Sequence, residues 1–103
     1  MITLIIDTSD NKKIIVGLDI DDQEDIKTRQ ITSNKTQIIL PLIDEILKKH
    51  SLNLKDISEI KINPGPGSFT GLRVGMAIAN TLSFSLKIPI NGKKVGEIIL
   101  PIY

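Results

Sequence analysis

Cysteine and tryptophan are absent from the 103 residues, and there is one histidine, one tyrosine and two phenylalanines. Without cysteine there is no disulfide, no thiolate nucleophile and no sulfur-type zinc site. With His50 as sole histidine, nitrogen and sulfur ligands cannot assemble a transition-metal cluster. An excess of one charge is also missing. Thirteen Lys and Arg against twelve Asp and Glu leave a net +1, which gives no electrostatic case for nucleic acid or an anionic membrane. No apolar run reaches transmembrane length, and the run from Met1 to Ile6 is too short for a signal core and ends at Asp7. No Gly-Lys-Ser/Thr stands at P-loop spacing, and no dinucleotide fingerprint occurs. These absences point to a cytoplasmic protein without a metal or a standard phosphate loop.

What is present is ordinary for a globular domain: 41% hydrophobic and 24% charged residues, in a chain long enough for one modest core. Three short apolar or alternating segments come first, Ile2 to Thr8, Lys13 to Asp19 and Asp25 to Thr32, separated by Asp- and Asn-rich turns. Such short connections make the strands antiparallel neighbours. Ser33 or Asn34 then caps a helix to about His50, with Pro41 inside it as an expected kink. At ~100° per residue its apolar side chains fill an arc of about 200°, wider than one sheet face needs. Leu52 to Ser58 is a connection with a short helical turn, Glu59 to Asn63 a fourth strand, and Ile88-Pro89-Ile90 a short fifth. The tail from Glu97 to Tyr103 offers one further strand.

The segment from Asn63 to Gly75, NPGPGSFTGLRVG, carries the strongest signal. Two Pro-Gly pairs force a tight turn, and Ser68 is placed to cap the helix that follows to about Leu86. Gly67, Gly71, Gly75, Ala79 and Ser83 recur every four residues, forming a face that another backbone can approach closely. Leu72, Val74, Met76, Ala77, Ile78, Ala79, Leu82, Phe84 and Leu86 point nearly all the way round the helix, which implies burial all round. Either the tail folds over the surplus or another subunit covers it. The surplus apolar surface favours the subunit.

The glycine turn resembles the GPGSFTG(L/V)R(V/I)G signature of the TsaB (YeaZ) family. Ile5-Ile6-Asp7-Thr8-Ser9 is similar to that family's opening strand, and Thr36 to Ile43 to its first helix, with Lys35 where members carry His. Pro101-Ile102-Tyr103 resembles the P-x-Y near the members' C-terminus. The resemblance covers about residues 1–92. It implies a single ribonuclease H-like α/β domain of the actin/Hsp70/sugar-kinase type, a five-stranded mixed sheet in the order βββαβαβ with two main helices. Residues 93–103 are then a tail or strand packing back on that domain. Members are longer, with a second domain, so a shortened member is expected.

The resemblance also implies a function: a non-catalytic subunit of the machinery that makes N6-threonylcarbamoyladenosine at position 37 of tRNA. Its partner would be TsaD, with a homodimer in TsaD's absence. TsaE would join through the TsaB–TsaD complex, and tRNA would be touched only within the complex. The interface is expected on Thr36, Gln37, Leu40, Asp44, Leu47, Phe69, Gly71, Arg73, Gly75, Met76, Ala77 and Asn80, the helix sides least needed by the sheet.

The competing readings are a small nucleotide-binding, ATPase-type enzyme and a stand-alone homodimer. For the enzyme, Asp7, Thr8 and Ser9 stand where actin-type enzymes hold metal and phosphate, and Gly65, Gly67 and Ser68 sit at a helix start that attracts anions. One carboxylate is a poor metal site, however, and a turn that sets close helix packing explains the glycines better. No cofactor is therefore expected, a nucleotide at a subunit interface staying open. Asp19, Asp21, Asp22, Glu24 and Asp25 read as a solvated turn, with weak calcium binding as the alternative. His50 reads as a helix-end or surface residue.

Overall fold

The computed structural model describes residues 1–31 and 35–102, the side chains of Lys35 and Thr36 excepted. The helix cap expected at Ser33 or Asn34, the strand end at Thr32 and the terminal Tyr103 lie outside the described residues. Three strands open the chain: β1 (Ile2–Asp7), β2 (Lys13–Ile20) and β3 (Gln23–Gln30). They pair antiparallel, as their short turns require. The turn between β2 and β3 uses left-handed backbone at Asp21 and Asp22 (φ 51° and 71°), the geometry of a two-residue hairpin loop. Helix α1 (Lys35–Lys49) crosses over to β4 (Glu59–Ile62), which lies parallel to β1. Helix α2 (Phe69–Leu86) follows. The sheet order is β3-β2-β1-β4.

Four strands stand where five are expected. Ile90 makes one parallel bridge to Ile60, and no fifth strand forms among the described residues. Pro89 brings no N–H to a ladder, and Asn91 and Gly92 turn the chain away at positive φ (50° and 73°). The Asn91 side chain takes over from the backbone. It accepts from the Ile62 N–H at 2.8 Å and donates to the Ile62 carbonyl at 2.9 Å. The described residues of the tail form no strand either. It is pinned across α2, and Ile99 is buried.

One face of the sheet carries both helices. Leu4, Ile6, Ile14, Val16, Leu18, Ile60 and Ile62 alternate onto that face and meet Ile39, Leu42, Ile43, Ile46 and Leu47 of α1 and Met76 and Ala79 of α2. The wide apolar arc of α1 is thereby largely absorbed: Leu40 is its exposed exception at 49%. Pro41 lies within the helix on its exposed side. Leu54–Asp56 forms the short helical turn, closed by Asn53 and Asp56 in a reciprocal cap.

Candidate functional site

The turn after β4 and the end of β1 are locked together. Ser68 caps α2, its Oγ accepting from the Gly71 N–H at 3.2 Å. The Ser68 N–H donates to the Ser9 carbonyl at 2.7 Å, and the Gly65 N–H donates to Asn63 Oδ1 at 3.0 Å. Asp7 accepts from the Ser9 N–H (2.9 Å), the Ser9 hydroxyl (2.6 Å) and the Asn63 amide (3.2 Å). Partial burial pushes the Asp7 carboxyl up, but the bonds from Ser9 and Asn63 outweigh it and hold the group below its usual range. Thr8, fully buried, donates its hydroxyl to the Gly71 carbonyl at 2.7 Å.

Asp7, Thr8, Ser9, Gly65, Gly67 and Ser68 thus do come together in space. Asp7, Thr8, Ser9, Gly65 and Ser68 are bonded to one another or to Asn63 and Gly71, and Pro64 and Pro66 have no N–H for an anion. Gly65 holds φ +114°, and a Cβ there would lie 1.9 Å from the Ile102 carbonyl oxygen. The space beside Gly65 is therefore taken by the chain's own tail, which donates the Ile102 N–H to the Pro64 carbonyl at 2.6 Å.

The small-residue face also meets the chain itself. Gly71, Gly75, Ala79 and Ser83 are buried in the domain. A Cβ on Gly75 would come within 2.1 Å of Thr8 Oγ1, and one on Gly67 within 2.5 Å of the Ser9 carbonyl oxygen. The backbone approached by this stripe is the end of β1. Met76 and Leu47, at 4% and 3% exposure, belong to the core as well. Leu47, Gly71, Gly75 and Met76 are therefore corrected from outward contacts to interior positions. The reason is that α2 needs this side to seat against the sheet, and α1 places Leu47 in the same core.

Asn80 is a further correction. Its amide donates to the Ile99 carbonyl and accepts from the Ile99 N–H, both at 2.9 Å, so it holds the tail. Gln37 faces a shallow hollow with Thr28 and Arg29 of β3, and Asp44 pairs with Lys48 at 2.9 Å beside another. The Thr36 side chain lies outside the described residues.

Four of the expected positions do share one surface. Leu40 from α1 and Phe69, Arg73 and Ala77 from α2 line an open groove of about 610 Å³. Thr70, Val74, Ile78, Thr81 and Leu82 complete it. These five are missing from the interface expected from the sequence, although their spacing signals them. Thr70, Val74, Ile78 and Leu82 form one row at four-residue intervals, and Arg73, Ala77 and Thr81 the next. The first row lies beside the buried Gly71 row, and the second lies beyond it on the far side of the helix. Phe69 is 55% exposed, and the Arg73 guanidinium sits over its ring, 5.3 Å from the centroid. Sequence alone implied surplus surface all round α2. The tail covers one part, and the groove keeps another.

His50 Nε2 lies 2.8 Å from Asp25 Oδ2, and Lys49 Nζ reaches the same oxygen at 2.8 Å. The Lys49 and His50 contacts hold the Asp25 carboxyl below its ordinary range. Asp21 of the acidic turn receives the N-terminal ammonium at 2.8 Å. Among the described residues no three His, Cys, Asp or Glu side chains gather as metal ligands, and no helix is long and apolar enough to cross a membrane.

Residues 26–94 match the family model for TsaD, the tRNA N6-adenosine threonylcarbamoyltransferase. The tRNA threonylcarbamoyladenosine biosynthesis protein TsaB of Buchnera aphidicola from Schizaphis graminum is 48% identical over 54 residues, 52% of this chain and 26% of that protein. The Bacillus subtilis TsaB is 31% identical over 117 aligned positions, which take in 100% of this chain and 50% of that protein. The chain therefore spans half the length of that relative. In structure, YeaZ from Pseudomonas aeruginosa superposes with a TM-score of 0.81 at 27% identity, over 87% of this chain and 43% of that one. The matched segment holds both helices that line the groove and the whole glycine turn. With the fold, the turn and these likenesses in agreement, the chain belongs to the family of the tRNA N6-adenosine threonylcarbamoyltransferase model, as a member of its TsaB (YeaZ) type.

Proposed function

We propose that this chain is a non-catalytic subunit in the synthesis of N6-threonylcarbamoyladenosine on tRNA, and that it docks a TsaD-type chain through the α1–α2 groove. The groove carries this reading. It is an open, largely apolar surface on the side of α2 that neither sheet nor tail covers, and it exposes Phe69 and Leu40. Two helices beside a groove suit a helical partner, whose apolar face would fill it. A second copy of the chain is the alternative occupant when the partner is absent. TsaE and tRNA would be met only within the larger complex, in the cytoplasm. The enzyme reading is the weaker one, because Asp7 is bonded by Ser9 and Asn63, Gly65 by Asn63 and Ser68 by Ser9 and Gly71, while the tail bonds the neighbouring Pro64.

Mass-resolved chromatography of the chain with its own organism's TsaD tests the proposal. A mixed species should form, and Ala77→Trp, which fills the groove from an exposed position, should abolish it. The reading fails if no mixed species forms at micromolar concentration, or if the chain alone turns over ATP in a manner lost in Asp7→Ala.

A further inference from the structure

The groove has a single charge. Of the nine residues that line it, Leu40, Phe69, Val74, Ala77, Ile78 and Leu82 are apolar, Thr70 and Thr81 are neutral, and Arg73 alone is ionised. Arg73 stands mid-groove, one turn from both Phe69 and Ala77. Its position is set by the Phe69 ring beneath it. With its guanidinium carbon 5.3 Å from the ring centroid, Arg73 keeps N–H donors that the ring cannot satisfy as a carboxylate fork would. Any apolar surface that closes over the groove strips water from those donors. An unpaired cation in such a place disfavours the complex strongly, whereas a carboxylate matched to the fork satisfies both charge and geometry.

We infer that the groove is specific for a helix that carries an Asp or Glu within its apolar face, seated on Arg73. This rests on the docking reading above and narrows it to the chemistry of the partner. The same feature argues against a second copy as the preferred occupant. A two-fold pairing lays the same patch on itself, so it brings two cations and no carboxylate from the groove lining into one closing surface. Repulsion of that kind selects among partners as effectively as new contacts do. Arg73 is then a specificity residue of the interface, and Phe69 a positioning residue that holds its side chain across the groove.

The experiment is binding of the full chain to its organism's TsaD by calorimetry or interferometry, across a sodium chloride series. Three variants are compared with the wild type: Arg73→Met, Arg73→Lys and Ala77→Trp. Arg73 is exposed, so its variants should fold normally, which circular dichroism checks. Arg73→Met keeps the apolar stem and should bind roughly tenfold or more weakly. Arg73→Lys should retain part of the affinity. Wild-type affinity should fall as salt rises, and Arg73→Met should lose that dependence. The inference is overturned if Arg73→Met binds like the wild type. It is also overturned if wild-type binding is indifferent to salt, which would mean that uncharged carbonyls receive the guanidinium. The docking reading fails separately, if wild type does not bind or Ala77→Trp binds unchanged.

Discussion

Gly75→Ala isolates the contact that seats α2 on the sheet. The added methyl would lie 2.1 Å from Thr8 Oγ1 and 3.2 Å from both Thr8 Cβ and Cγ2. Thr8 cannot yield cheaply: it is fully buried, and its hydroxyl is bonded to the Gly71 carbonyl at 2.7 Å. Overpacking of this kind costs about 1–3 kcal/mol. Losing the Thr8 hydrogen bond adds about 1 kcal/mol. Alanine's better helix propensity returns about 1 kcal/mol. The net expectation is a loss of about 2 kcal/mol, or a fall in melting temperature of about 8–16 °C for a domain of this size. Urea unfolding followed by circular dichroism measures it. The double variant Thr8→Ala/Gly75→Ala makes the test sharper, because removing the hydroxyl and methyl of Thr8 clears the space. The two changes should then couple by more than about 1 kcal/mol. A Gly75→Ala protein as stable as the wild type, with additive effects in the cycle, would refute the packing argument.

Gly65→Ala should release the tail, because its Cβ would occupy the place of the Ile102 carbonyl at a φ that alanine disfavours; faster amide exchange and proteolysis at residues 98–102 would show it, and unchanged protection would contradict it. Met76→Glu should destabilise the fold itself by about 3 kcal/mol or more, since the carboxylate has no partner in the core; a stable variant that fails only in assembly would place Met76 outward after all. Asp7 ionises below its usual range, so its contribution is present above the unfolded value of about 3.9 and is lost as pH falls through the folded value. The wild type should therefore lose stability on acidification below about pH 4 more steeply than Asp7→Asn, and parallel acid limbs would count against the Ser9–Asn63 cage.

Much of the architecture is legible in the residues. Alternation of Leu4 with Ile6 and of Ile14, Val16 and Leu18 marks the strand faces, because a period of two is a local property of extended chain. The turn at 64–67 and the Ser68 cap follow from φ restriction and a hydroxyl at the right offset. The fifth strand was misread for a similarly specific reason. Ile88-Pro89-Ile90 has strand-like residues, but pairing depends on what stands beside it, and the Asn91 side chain claims Ile62 instead.

By itself the sequence determined the order of the first four strands and the two helices, the family resemblance and the existence of surplus apolar surface on α2. Only the tertiary structure decided which part of that surface is free. A helical wheel treats all sides alike. The choice among them belongs to distant residues: Thr8 receives Gly75, Ile99 is held by Asn80, and Ile102 fills the space at Gly65. These contacts join residues 19 to 67 positions apart along the chain, such as Asn80 with Ile99 and Thr8 with Gly75. No local periodicity encodes them. They leave the rows through Thr70 and Arg73, with Leu40 opposite, as the surface that α2 keeps open.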